Sequence, residues 1–360
     1  MPHYARNSVN FLCFAAEFQA IVTALPHAAG YTRLEMTYIP ASLLRRAVAA
    51  LLLPLLAVPQ SFAWGSDGHR MVNQLAAEKL PADMPAFFRT PDAIAEITYL
   101  GPEPDRWRSP TEPELVAAQA PEHFIDLELA DRLGTLPRKR FDYIAALAVL
   151  QAAHPDLPLK PEKVGLQPYV TTEVYERLKA AMREYRTLSA QGKDVKPVEQ
   201  VVLFYAGWLG HYVGDGAMPL HVTVNYDGWV NADNPNGYTT QKGIHSLFES
   251  TFVAANIKPT AVAPLMTGTQ VLTDPFTDYM AYLRRSYTQI DRVYQLEKVQ
   301  GFNGAGSAES REFAAARLAA AASMLRDMIY SAWLESAKPV PEWHPPTQPQ
   351  TPPAQQKPGT

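Results

Sequence analysis

The chain from residue 64 to about 337 predicts an all-helical fold, built as one domain. Three observations predict it. Apolar residues recur at helical spacing over 69–80, 172–190, 197–215, 242–255, 275–297 and 308–336. The apolar/polar alternation of strands is scarce. Loop-forming Pro, Gly, Asn and Asp concentrate between those segments, at 101–122 and 222–241. A stretch of this length suffices for one large core.

The elements follow in chain order. Arg45 and Arg46 precede the 12-residue apolar run "AVAALLLPLLAV" at 47–58, which is too short to span a bilayer and is interrupted by Pro54. Ser61 and Ala63 supply the small residues a signal peptidase reads. Residues 1–63 are therefore expected to be an N-terminal extension and a signal peptide cut before Trp64, with 1–35 upstream of a second start candidate, Met36. The mature protein would be secreted or periplasmic. Its last helical segment, "AESREFAAARLAAAASMLRDMIYSAWLESA", combines alanine-rich propensity with i, i+3, i+4 apolar positions. From Lys338 on, 8 of 23 residues are proline, which predicts a disordered tail over 338–360.

Charge narrows the function. Residues 1–63 hold four of the 32 Lys/Arg and two of the 36 Asp/Glu, so the mature chain carries 28 against 34, a balance of −6. Such a chain does not grip polyanions by bulk charge, and any hold on phosphate must be local. Cys13, the only cysteine, lies in the segment expected to be removed. Disulfides are thereby excluded from the mature chain, leaving a core, metals or both to stabilise it.

Five of the seven histidines beyond residue 63 fall in patterns with a carboxylate or the new amino terminus. "HYVGDGAMPLH" sets His211 and Asp215 four apart on one helical face, and Pro219 ends that helix so that His221 can turn back. "HSLFE" repeats the i, i+4 arrangement with His245 and Glu249. "DRWR" and "HFID" add Asp105, Arg108, His123, Phe124 and Asp126. The fourth is "WGSDGH", where the freed α-amine and carbonyl of Trp64 could chelate a metal beside His69, because coordination is coupled to deprotonation. This would account for cleavage just before Trp64. Each pattern alone also reads as a structural His–carboxylate pair. Together, Trp64, His69, Asp105, His123, His211, Asp215, His221, His245 and Glu249 are nine nitrogen and oxygen donors, enough for three divalent ions, and donors of this kind suit zinc.

With its W-x4-H, D-x2-R, H-F-I-D, H-x3-D-x3-P-L-H and H-x3-E layout over nearly all of 64–335, the chain is similar to the S1/P1-type zinc nucleases and to the bacterial zinc phospholipases C. The resemblance implies a single helical domain of the phospholipase C/P1 nuclease type, with a trinuclear zinc cluster at the base of a cleft. It implies one zinc on Asp105, His123, His211 and Asp215. A second is implied on Trp64 and His69 with Asp215 bridging, and a third on His221, His245 and Glu249. Arg108 matches an arginine that steadies the transition state, Asp126 an acid near the attacking water, and Phe124 an aromatic that helps hold a base. The chain departs from the nucleases in lacking disulfides, in carrying Glu249 where many have Asp, and in the loop "NYDGWVNADNPNGYTTQKG" at 225–243.

The chemistry implied is phosphodiester hydrolysis. Two zincs sharing a carboxylate can bridge one water and lower its pKa, while Arg108 neutralises charge on the equatorial oxygens. The expected enzyme is a secreted endonuclease on single-stranded DNA or RNA, with 3′-nucleotidase activity as an extension. The alternative is a phospholipase C acting on phospholipid headgroups. The aromatics Phe124, Tyr226, Trp229 and Tyr238 are candidate base-stacking residues, and the same rings would also serve as a lipid-facing rim or a choline box. A non-enzymatic protein using zinc only as scaffold would have no need of Arg108 or a shared carboxylate. No protein partner is implied.

Overall fold

The structure is a computed structural model in which residues 64–340 are described. The expected signal segment, and the tail beyond residue 340, lie outside the described residues. Eight longer helices organise the chain: α1 Gly65–Glu78, α2 Pro91–Leu100, α3 Arg140–Ala153, α4 Gln167–Ala190, α5 Lys196–Ala217, α6 Pro275–Tyr287, α7 Ile290–Lys298 and α8 Ala308–Glu335. Among the described residues there is no strand, only two isolated bridges, Ile125 to Gly165 and Tyr226 to Gly228. The all-helical expectation therefore holds.

Local chemistry sets the helix starts. Thr90 Oγ1 accepts from the Ala93 N–H at 3.2 Å ahead of Pro91, Asp274 caps α6 on Thr277, and Ser307 Oγ accepts from the Ser310 N–H at 2.9 Å to start α8. The sequence predicts one helix over 275–297. The chain instead turns at Thr288–Gln289 between α6 and α7. α2 and α3 escape the sequence reading. α3 fully buries only Tyr143 and Leu147 and leaves Phe141 and Val149 outside, so its apolar stripe is weak.

The core forms where α5 lies among α1, α2, α4 and α8. α8 is buried on every side from Ala321 to Ile329. It also holds down an extended segment. Ser323, Asp327 and Ser331, four residues apart, accept from the N–H groups of Thr267 (3.1 Å), Gln270 (3.0 Å) and Leu272 (2.8 Å). Arg326 between them donates to the carbonyls of Thr267 and Gly268. Side chains of one helix thus supply the hydrogen bonds that a neighbouring strand would otherwise give.

Candidate metal centre

α5 places His211 and Asp215 on one buried face, a turn apart. Glycines on the same helix let α1 come close. A Cβ on Gly214 would lie 2.8 Å from His69 Nδ1, and one on Gly210 would overlap the Asn73 amide. Asn73 uses that closeness to donate to the carbonyls of Ile97 (2.8 Å) and Gly207 (2.9 Å), tying α1 and α2 to α5. His69 is thereby stacked on His211, ring centroids 4.0 Å apart. Asp105 follows α2 directly. It stands in a one-turn helix, Glu103–Arg106, rather than the loop that its prolines suggest, and its Oδ1 lies 3.9 Å from both His211 Nε2 and His123 Nδ1.

His123 and His221 come in on two tight turns, Ala120–His123 and Pro219–His221, the second starting where Pro219 stops α5. Ile125 N–H donates to His221 O at 3.0 Å, so the two turns travel together. His245 and Glu249 sit on a helical stretch that widens to a π-turn over Leu247–Phe252, a distortion common at functional sites. His245 Nε2 lies 2.9 Å from Glu249 Oε2 and 3.1 Å from His221 Nε2.

Backbone carbonyls aim the imidazoles. Nδ1 of His211 bonds Gly101 O (2.9 Å), Nδ1 of His221 bonds His123 O (2.7 Å), and Nδ1 of His245 bonds Tyr226 O (3.0 Å). Each bond places a proton on Nδ1 and turns Nε2 inward, the arrangement of metal-ligating histidine. Three groups of donors result, each within 4.8 Å mutually: His69–Asp105–His211, His123–His211–Asp215 and His221–His245–Glu249. The third is the trio expected from sequence. The first two interlock through His211, and Asp105 falls with His69 as well as near His123.

The electrostatics fit cations. Burial holds His123 down at about 4, and burial with the neighbouring His69 holds His211 well below its usual range, so both are neutral donors. Burial alone would raise Asp215, but His211 and His221 hold it well below the carboxylate range. Burial opposes ionisation of Glu249 too, yet His245 and His221 keep it low. Burial, then Asp215, drives Asp105 up. Burial pulls His221 down, but Asp215 and Glu249 outweigh it and lift the imidazole to about 9. Both ring nitrogens of His69, both oxygens of Asp105, Asp215 Oδ1, Glu249 Oε1 and His123 Nε2 are buried without a hydrogen-bond partner. An unsatisfied buried polar atom costs about 1–3 kcal/mol. Seven clustered in one place fit groups made to hold metal ions.

The centre opens into a cavity of about 440 Å³, lined by His123, His221 and His245 together with Arg108, Phe124, Asp126 and Tyr226. Arg108 Nη1 stands 3.7 Å from Asp105 Oδ1. Burial, followed by Glu128, pushes Asp126 up to about 7. Lys163, from the turn Pro161–Val164, also lines the cavity and carries no signal in the motifs that point to the centre.

Trp64 is fully buried, its indole donating to Gly214 O at 2.6 Å and set edge-on to Phe248. Trp229 and Tyr238 do not reach the cavity, contrary to the sequence expectation. They pack on Tyr294 of α7, each 5.3 Å from its ring, with Tyr238 4% exposed and Trp229 half-buried. Tyr226, 53% exposed, keeps its ring on the cavity wall.

The S1/P1 Nuclease family matches residues 64–342. No curated protein matches the chain. A crystal structure of the alpha-toxin of Clostridium perfringens, isolated from an avian strain, is 15% identical, with 76% of this chain and 64% of that chain covered at a TM-score of 0.35. The chain thus spans under two thirds of that structure's length. The family match, by contrast, runs through every donor from Trp64 to Glu249 and over most of the 360 residues, and the chain belongs to the S1/P1 nuclease family.

Proposed function

We propose that the chain, cleaved before Trp64 and exported, is a zinc-dependent phosphodiesterase that cuts single-stranded DNA or RNA and removes 3′-phosphates. The observation that carries this reading is the set of buried donors in three groups, seven of their atoms without a hydrogen-bond partner, with His123, His221 and His245 lining the adjoining cavity, in a member of a nuclease family. The ligands proposed are the nine predicted: Trp64, His69, Asp105, His123, His211, Asp215, His221, His245 and Glu249. Zinc held there would supply Lewis acidity toward a phosphate and a water.

The chain's own residues supply the rest. Arg108 presents a guanidinium at the cavity wall, where it can pair with phosphate oxygens and take up developing charge. Asp126, near 7, can accept a proton at its carboxylate and return it at neutral pH. Phe124 and Tyr226 offer ring faces to unpaired bases, which a duplex would hide.

The test is a panel of single-stranded DNA, RNA, 3′-AMP and phosphatidylcholine, with zinc supplied. Faster turnover of the polynucleotides supports the nuclease. Much faster cleavage of phosphatidylcholine would replace it with a phospholipase C.

A further inference from the structure

The loop at 225–243 reads as featureless in sequence, yet it is densely bonded at two points. The first is Tyr294 on α7. Its hydroxyl donates to Asn225 O (2.6 Å) and accepts from the Gly228 N–H (3.1 Å), while its buried ring packs against both Trp229 and Tyr238. Asn225 Oδ1 adds bonds from the N–H groups of Val230 (2.9 Å) and Asn231 (3.2 Å). The second point is Asp227, whose Oδ1 accepts from the Gly243 N–H (2.7 Å) and the His245 N–H (3.2 Å), closing the loop on itself. Tyr226 lies between these two pinned residues, and its carbonyl receives the His245 Nδ1 proton.

We infer that Tyr294 and Asp227 are positioning residues for His245, acting through the Tyr226 carbonyl, so that an aromatic cluster outside the cavity sets how firmly the His221–His245–Glu249 group holds its ion. The inference rests on the zinc reading proposed above. Its physical basis is the second shell of metal sites: partners that orient a ligating histidine change metal affinity by about 10–100-fold when removed. Gly228 belongs to the same device. It sits at φ +102°, and a Cβ there would lie 2.8 Å from Thr240 O, so the loop closes over a residue that must be glycine.

Three variants of the chain beginning at Trp64 test it: Tyr294→Phe, which removes only the hydroxyl, Asp227→Ala and Asp227→Asn. The measurements are zinc per chain, zinc release to a chromogenic chelator, and melting of the metal-free form. Tyr294→Phe and Asp227→Ala are expected to release one ion at about 10–100-fold lower chelator concentration, with the other ions and the metal-free melting temperature unchanged. Asp227→Asn is expected to restore retention, because its amide oxygen can accept the same two N–H bonds. Release at the wild-type concentration in all three variants would overturn the inference. So would loss of every ion together with a lowered metal-free melting temperature, or equal loss in the Asn and Ala variants. A wild-type chain that binds no zinc would overturn the metal reading itself, and this inference with it.

Discussion

The backbone nitrogen of Trp64 lies 3.2 Å from Glu249 Oε2, across 185 residues of sequence. Trp64 adopts a left-handed φ of 45°, rare for a large side chain, and is held there by its indole bond to Gly214 and its contact with Phe248. The first atom of the expected mature chain is thus fixed beside the candidate metal centre by a ring that itself need touch no metal.

Adding Gly-Ser before Trp64 should therefore cost both zinc and activity. The extension replaces a free amine with an amide. Metal analysis and turnover of a small diester, compared with the chain beginning at Trp64, check this. Equal values in both would remove Trp64 from the ligand set.

Asp215→Ala should be the most damaging ligand substitution. Its Oδ2 lies 3.1 Å from His123 Nδ1 and 3.4 Å from His211 Nε2, and its Oδ1 lies 3.4 Å from His69 Nε2. Removing one partner of a buried charged cluster costs roughly 3–5 kcal/mol. Zinc content and melting temperature should fall further than in Asp105→Ala, and the reverse order would contradict a shared role for Asp215.

The pH dependence follows from His221, held up at about 9 in the metal-free protein. The sign is that of a raised base. Its protonated form stabilises the fold fully below the unfolded value of about 6.5, and that contribution is lost as pH rises through about 9. Metal must displace the same proton, so affinity rises with pH across that window. The gap between zinc-loaded and chelated melting temperatures should widen from pH 6.5 to 9, and a gap that narrows would contradict it.

Phe124→Ala and Tyr226→Ala should raise KM for single-stranded oligonucleotides, by about 1–3 kcal/mol per stacked base, with hydrolysis of bis-nitrophenyl phosphate kept. Trp229→Ala should reduce turnover of both substrates, since its ring supports the loop behind His245 and not a base. A selective loss on oligonucleotides in Trp229→Ala would return that ring to the substrate.

The donors were legible because their spacing is a property of helices: His211 with Asp215 and His245 with Glu249 each stand four apart, and Pro219 forces the turn that returns His221. The carbonyls of Gly101, His123 and Tyr226 that aim three of the histidines were not legible, because a backbone acceptor carries no residue-type signature. Trp229 and Tyr238 were misplaced for a related reason. An aromatic in a Pro/Gly/Asn loop reads the same whether it faces a cleft or a buried ring, and the deciding ring, Tyr294, arrives on a helix more than 50 residues later. The closeness of α1 to α5 was written in Gly210 and Gly214, but a glycine within a helical stretch names no partner.

The segment at 266–273 carries a last consequence. It has no helix or strand, and by that description its amides should trade their protons with water quickly. Those of Thr267, Gln270 and Leu272 are instead bound to Ser323, Asp327 and Ser331, themselves buried on α8. Exchange at these three positions requires the segment to peel away from α8, so they should be as slow to exchange as interior helical amides. In a chain with no cysteine beyond residue 63, that helix does the fastening a cystine would do elsewhere, with hydrogen bonds that no reductant can cut.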